Sequence, residues 1–271
     1  MMKAIKLSIS ILVVLLLNSF AIKESTSTNK EFSKLRKIDN KAFQAGEKLE
    51  YRLHYGLISA GTATLSVEKS TQKIGDRELL HIIGKGNTNS SFDWMYKVRD
   101  RYESYIDADG IFPWMFMRNV DEGGFKINQS YEFAQHKQTV ATSEGKIVET
   151  PEAVQDMLSS FYYARTIDFS TAKVGEVFTV NSFVDGKVWP LQIRFVGRED
   201  LKTNGHKYKT LKFHPVVQTG RMFKHEEDVT VWVSDDNNKI PLLAQGKIFI
   251  GSIKMEIAKY EGLANPIAIV E

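Results

Sequence analysis

LEYRLHYGL, residues 49–57, decides the class of fold. Leu49, Tyr51, Leu53, Tyr55 and Leu57 alternate with Glu50, Arg52, His54 and Gly56. Successive side chains of a strand point to opposite faces, so this spacing puts one apolar and one polar row on the two faces of a β-strand. Ser59-Ala60-Gly61 then reads as a hairpin turn, after which Ala63, Leu65 and Val67 alternate with Thr62, Thr64, Ser66 and Glu68 as a second, paired strand. Further out, the same period returns in Phe125, Ile127, Gln129, Tyr131 and Phe133 and in Val229, Val231 and Val233. Gly75-Asp76, Asp109-Gly110, Glu122-Gly123-Gly124, Glu144-Gly145, Asp185-Gly186 and Asn204-Gly205 punctuate the runs with residues suited to tight turns. Strands this closely spaced leave no room for the helical crossovers of a parallel sheet. The expectation is a mainly β fold: an antiparallel curved sheet, barrel or half-barrel, with one principal amphipathic helix packed on it.

That helix is predicted over Ala153 to Thr166. Thr150-Pro151 offers a cap and a first-turn proline, and Val154, Met157, Leu158, Phe161, Tyr162 and Arg165 recur at three- and four-residue steps. Its apolar face calls for a concave sheet to cover, as a plug or lid. A shorter helical turn is expected around Ser91 to Lys97.

The start of the chain follows another logic. Lys3 and Lys6 precede an apolar run from Leu7 to Leu17, and Ser19-Phe20-Ala21 places small residues at the cleavage-determining positions. Residues 1–21 therefore read as a secretory signal peptide, since the run is well short of the roughly 20 residues that span a bilayer. Residues 22–42, rich in Ser, Thr, Lys and Asn, read as a flexible tether with transient helix around Phe32 to Ile38. Residues 43–271 then form a single β-rich domain, exported to the periplasm or, as the alternative, outside the cell. No integral membrane span is expected once the signal is removed.

Composition excludes several functions. The 271 residues contain no cysteine, so disulfides, thiolate metal sites and cysteine nucleophiles are out. Lys and Arg number 36 against 33 Asp and Glu, and removing Lys3 and Lys6 lowers the net charge from +3 to +1. Such a balance gives no electrostatic case for nucleic acid as a partner. No G-x-S-x-G elbow, H-E-x-x-H helix or phosphate loop occurs, and the histidines (His54, His81, His136, His206, His214, His225) have no metal-binding spacing. Asp107-x-Asp109-Gly110 starts like a calcium loop, but the position that should hold a bidentate glutamate is Arg118, so it reads as a solvated β-turn. Asp235-Asp236-Asn237-Asn238 reads as a hairpin loop, and Glu226-Glu227-Asp228 as a solvated strand entrance. No catalytic residue, metal or cofactor is expected.

Aromatic clustering is the unusual feature. Phe92, Trp94 and Tyr96 with Met95, and Phe112, Trp114 and Phe116 with Met115 and Met117, form two apolar stretches in a polar neighbourhood. They either fill the core of a wide β fold or line a cavity in it. On the second reading Phe92, Trp94, Tyr96, Trp114, Phe116 and Phe161 are the candidate ligand-binding residues.

The ordered blocks Gly46-Glu47-Lys48-Leu49-Glu50-Tyr51, Tyr55 to Ala63, Phe92-Asp93-Trp94, Asp156 to Tyr163, Val184-Asp185-Gly186-Lys187 and Trp232 to Leu242 resemble the exported bacterial proteins grouped as domain of unknown function 3108, over roughly residues 43–261. The resemblance implies a curved antiparallel β domain in the cell envelope and carries no catalytic residue across. Two functions follow as expectations. The first is a non-catalytic binder of a lipid or other amphiphile in a curved-sheet cavity. The second is an envelope scaffold or assembly factor acting on a partner protein through its rim or sheet edge.

Overall fold

The structure, a computed structural model, describes residue 32 and residues 34–216, 228–247 and 251–270. The expected signal peptide, about half of the expected tether, His225, Glu226 and Glu227 lie outside the described residues. The strands are β1 (Lys48–Tyr55), β2 (Ile58–Ile74), β3 (Arg77–Thr88), β4 (Arg99–Asp107), β5 (Pro113–Glu122), β6 (Phe125–Ala134), β7 (Thr139–Thr142), β8 (Ile147–Glu149), β9 (Val177–Val184), β10 (Lys187–Thr203), β11 (His206–Pro215), β12 (Val229–Ser234), β13 (Pro241–Lys247) and β14 (Ser252–Glu261). Among the described residues they are accompanied by the α-helices α1 (Ser90–Asp93) and α2 (Met157–Arg165) and a 3-10 turn at Gln135–Lys137.

All fourteen strands join one antiparallel sheet in the order β8-β7-β6-β5-β4-β3-β2-β1-β14-β13-β12-β11-β10-β9. The chain is thus a meander in two runs, joined where β1 pairs with β14 from Lys48↔Glu261 to Tyr55↔Ile253. The sheet curls without closing. Its β9 edge swings back towards β6, where the Phe183 ring lies 4.9 Å from that of Tyr131. Between the two edges the chain before α2 forms a parallel bridge, Gln155↔Ser182, so the β9 edge is partly covered.

Two details depart from the local reading. The β1–β2 turn falls at Gly56-Leu57 and not at Ser59-Ala60-Gly61. Gly61 sits inside β2 because the paired strand passes too close for a side chain: a Cβ there would meet the Asn87 carbonyl oxygen at 2.2 Å. The principal helix is also shorter than predicted. Gln155 is committed to β9 through its backbone, Ala153 has φ +52°, and the cap is Asp156, whose carboxylate accepts from the Leu158 and Ser159 amides while Ser159 returns a hydroxyl to the Asp156 amide. This is a capping box, three residues inside the predicted start.

The C-terminal part of the predicted tether is docked on the sheet. Arg36 donates to the carbonyls of Gly110 and Ile111 at 3.0 and 2.8 Å, and Ala42 and Phe43 are buried against Ile82, Ile106 and Tyr162. Composition hid this, because a single arginine and a few scattered apolar residues suffice to anchor it.

Candidate functional site

Nine residues of α-helix are roughly 13 Å long, whereas fourteen strands at about 4.8 Å spacing make an arc of roughly 60 Å, so α2 cannot cover the face it packs on. It lies chiefly on β3, β4 and β9. Gly84 gives it room there, since a Cβ at that position would stand 3.2 Å from the Leu158 side chain. Towards β10–β13 the helix stands off the sheet and leaves a slot of about 200 Å³.

The slot is lined from the helix by Met157, Ser160, Phe161, Ala164 and Arg165, and from the sheet by Leu191, Ile193, Phe213, Pro215, Val231 and Val233, with Phe169, Lys239 and Pro241 completing the wall. Its floor belongs to a cluster built on Phe169, Phe195, Leu211 and Phe213. Aliphatic and aromatic groups therefore face almost the whole volume, and the polar groups gather where α2 ends.

That end is rigid. The Arg165 guanidinium, fully buried, donates to both carboxylate oxygens of Glu47 (2.6 and 2.7 Å), to the Asn238 carbonyl (2.8 Å) and to the Ala42 carbonyl (3.0 Å). Burial by itself disfavours this cation, but the Glu47 hydrogen bonds and charge more than offset it and hold the group above the usual guanidinium range. Asn238 is fixed in turn by the Asn265 and Pro266 carbonyls, which its side-chain amide reaches at 2.9 and 3.2 Å. The helix C-terminus, the entry to β1 and the β12–β13 turn are thus one bonded unit. At the other end of α2, the Asp156 carboxylate takes a 2.5 Å hydrogen bond from the Ser104 hydroxyl, and burial raises it to about 6. Both its oxygens serve the cap and Ser104, so its work is to start the helix.

The candidate residues do not converge on one place. Phe161 lines the slot. Phe116 is core, stacked 5.9 Å from Tyr131. Phe92 is buried beneath the β1 end, its ring 6.2 Å from Tyr55. Trp114 donates its indole N–H to the buried Asp107 at 3.1 Å and lines a second, larger concavity of about 510 Å³. That concavity also runs along the outer face, where Met115 and Glu132 alternate with inward Phe116 and Tyr131, and Phe32 covers part of it with its ring 5.4 Å from Trp114. Trp94, 83% exposed, and Tyr96 line neither of these two concavities. They form a rim with the exposed Leu57, Ile58, Met95 and Phe125, and Tyr96 lies over Gly123 of the β5–β6 turn.

The slot residues from β10–β13 carry no signal in sequence beyond strand alternation, and sequence reading missed them. Both acidic segments form turns, but the first, expected to be solvated, is not: Asp107 is buried, binds Arg77 and caps its own turn through the Asp109 and Gly110 amides, while Asp236 caps the β12–β13 turn. Among the described residues no three His, Asp or Glu gather as a metal site, and no helix is long and apolar enough to cross a membrane.

The family model for Protein of unknown function (DUF3108) matches residues 50–258, and the chain belongs to that family. Among solved structures it is similar to a β-barrel-like protein of Domain of Unknown Function DUF1849 from Brucella abortus, with TM-score 0.53 and 11% identity, over 81% of this chain and 99% of that one. At this identity the likeness concerns the fold. A hypothetical protein from Chlamydia trachomatis aligns at TM-score 0.37 and 7% identity, over 84% of this chain and 93% of that one. Comparison with curated proteins gives no match.

Proposed function

We propose that this chain is a non-catalytic envelope protein that binds a single-chain apolar or amphiphilic molecule in the slot between α2 and β10–β13. The observation that carries the reading is an apolar concavity kept open by a helix whose two ends are both fixed, by the Asp156 cap and by the Arg165 network. Pockets for drug-sized ligands run about 300–1,000 Å³, so a slot of about 200 Å³ suits one chain rather than a multi-chain lipid. Divided by about 30 Å³ per water-sized group, it takes about seven methylenes. At about 0.8 kcal/mol each they contribute roughly 5–6 kcal/mol, an affinity near 0.1 mM before the costs of association. A tail alone is thus a weak ligand. Export through residues 1–21 belongs to the same reading and would place the protein where free amphiphiles occur.

The test uses the neutral fluorophore N-phenyl-1-naphthylamine titrated into the purified chain. Saturable enhancement at one site is expected, abolished by Ala164→Trp, which fills the slot from the helix side, and kept by Trp94→Ala. Enhancement that ignores Ala164→Trp would refute the site. The exposed apolar side chains Leu57, Ile58, Trp94, Met95, Tyr96 and Phe125 favour a second reading, contact with a partner protein, because large apolar groups left exposed can serve as an interaction surface. On that reading Trp94→Ala weakens the partner complex and leaves the fluorophore untouched.

A further inference from the structure

Of the two cations that line the slot, Arg165 is paired with Glu47 and Lys239 has no ion pair among the described residues. Lys239 lines it where α2 ends, half-buried, and among the described residues its ammonium makes no hydrogen bond or ion pair. Asp168, Asp236 and Asp235 favour its charge through space and Arg165 opposes it, but the hydrogen bonds that these groups make are to atoms other than its ammonium. Asp236 accepts from the Ser234 hydroxyl and from the amides of Asn238, Lys239 and Ala268. Asp235 faces Arg198 at 3.2 Å, Asp168 caps the Ser170 amide at 2.8 Å, and Arg165 is spent on Glu47.

The position of Lys239 is also set in advance. Its backbone is left-handed, φ +48°, which is uncommon for a side chain with a Cβ, and the Asp236 cap and the anchored Asn238 hold it there. A chain lying along the slot therefore meets Met157 and Pro215 at one end and, at the other, a lysine whose backbone is anchored. Burial lowers Lys239 from the ordinary lysine value, which is the cost of keeping a cation in an apolar wall with no fixed partner.

We infer that the ligand of the slot is a single acyl or alkyl chain ending in an oxyanion, carboxylate or phosphate, with the oxyanion on Lys239 and the tail over Phe169, Ile193, Phe213 and Val231. This rests on the slot reading proposed above and names its ligand class. The head explains how a chain too short to bind well by its tail is held: one charge-assisted hydrogen bond is worth about 10- to 100-fold in affinity.

The experiment measures binding of dodecanoate, dodecyl phosphate, dodecanol and dodecyltrimethylammonium to the full mature chain at pH 7 by displacement of N-phenyl-1-naphthylamine. The wild type is expected to prefer the two anions over dodecanol by about 10- to 100-fold, and their order tells carboxylate from phosphate. Lys239→Met should remove the preference, Lys239→Arg keep it, and Lys239→Glu turn it towards the trimethylammonium. Equal binding of dodecanoate and dodecanol by the wild type, or a preference that survives Lys239→Met, overturns the inference while leaving the slot intact. Failure of all four to displace a fluorophore that is itself insensitive to Ala164→Trp overturns the slot reading instead.

Discussion

Replacing Glu47 by Gln turns the Arg165 guanidinium into a buried cation without its anion. The pair is 3% and 0% exposed, with two Nη–Oε contacts of 2.6 and 2.7 Å, so solvent cannot take over from the lost carboxylate. Removing one partner of such a pair costs about 3–5 kcal/mol. For a chain of this size each kcal/mol lowers the melting temperature by about 2–4 °C, so a fall of roughly 6–20 °C is expected. Chemical denaturation of the wild type, Glu47→Gln, Arg165→Met and the Glu47→Leu/Arg165→Met double variant completes a cycle. With no charge left unpaired, the double variant should recover part of the loss, because removing both ions also removes both desolvation penalties. Since Arg165 also ties down the Ala42 and Asn238 carbonyls, recovery should be incomplete. A Glu47→Gln cost below about 1 kcal/mol, or additive single losses in the double variant, would refute the claim that this pair anchors the end of α2.

Three further outcomes follow from the same geometry. Asp156 is raised to about 6 from 3.8, so the native state holds its proton more tightly and stability should fall as pH rises from about 4 to about 6, by roughly 3 kcal/mol from this group; Asp156→Asn keeps the cap acceptor, and denaturation midpoints across that range should show this contribution gone, a wild-type-like slope counting against it. Gly61→Ala should cost at least about 1–3 kcal/mol in urea denaturation, because the new methyl meets backbone of β3 at 2.2 Å; a neutral result would place β2 and β3 further apart. Trp114→Phe removes one donor from buried Asp107, which keeps Arg77, and should cost about 1.5–3 kcal/mol by thermal unfolding, while Trp94→Ala, 83% exposed, should stay within about 0.5 kcal/mol.

Alternation is a local property, and it was enough to read β1, β2, β6 and β12. Leu49 and Tyr51 are buried as their period requires, and the turns at Gly75-Asp76, Asp185-Gly186 and Asn204-Gly205 stand where their residues suggest. The same period cannot tell an aromatic at the edge of a sheet from one within it. Trp94 and Trp114 look alike in sequence, yet one follows a four-residue helix on the rim and the other lies in β5 with a buried carboxylate to bond. Helix periodicity located α2 but not its start, because the bridge from Gln155 to β9 outcompetes the helix in a segment whose spacing is helical.

Length, charge, the absence of cysteine and the two-residue period thus determined the class of protein: a mainly β chain folded as an antiparallel meander, without thiol chemistry. Where that meander leaves an apolar slot was decided only in three dimensions. The slot joins α2 to strands that begin up to some 80 residues later, and its rigid end pairs Glu47 with Arg165 across 118 positions. Contacts of that kind depend on how far the sheet curls and on how much of it a nine-residue helix can cover, and neither is encoded in any short stretch of residues.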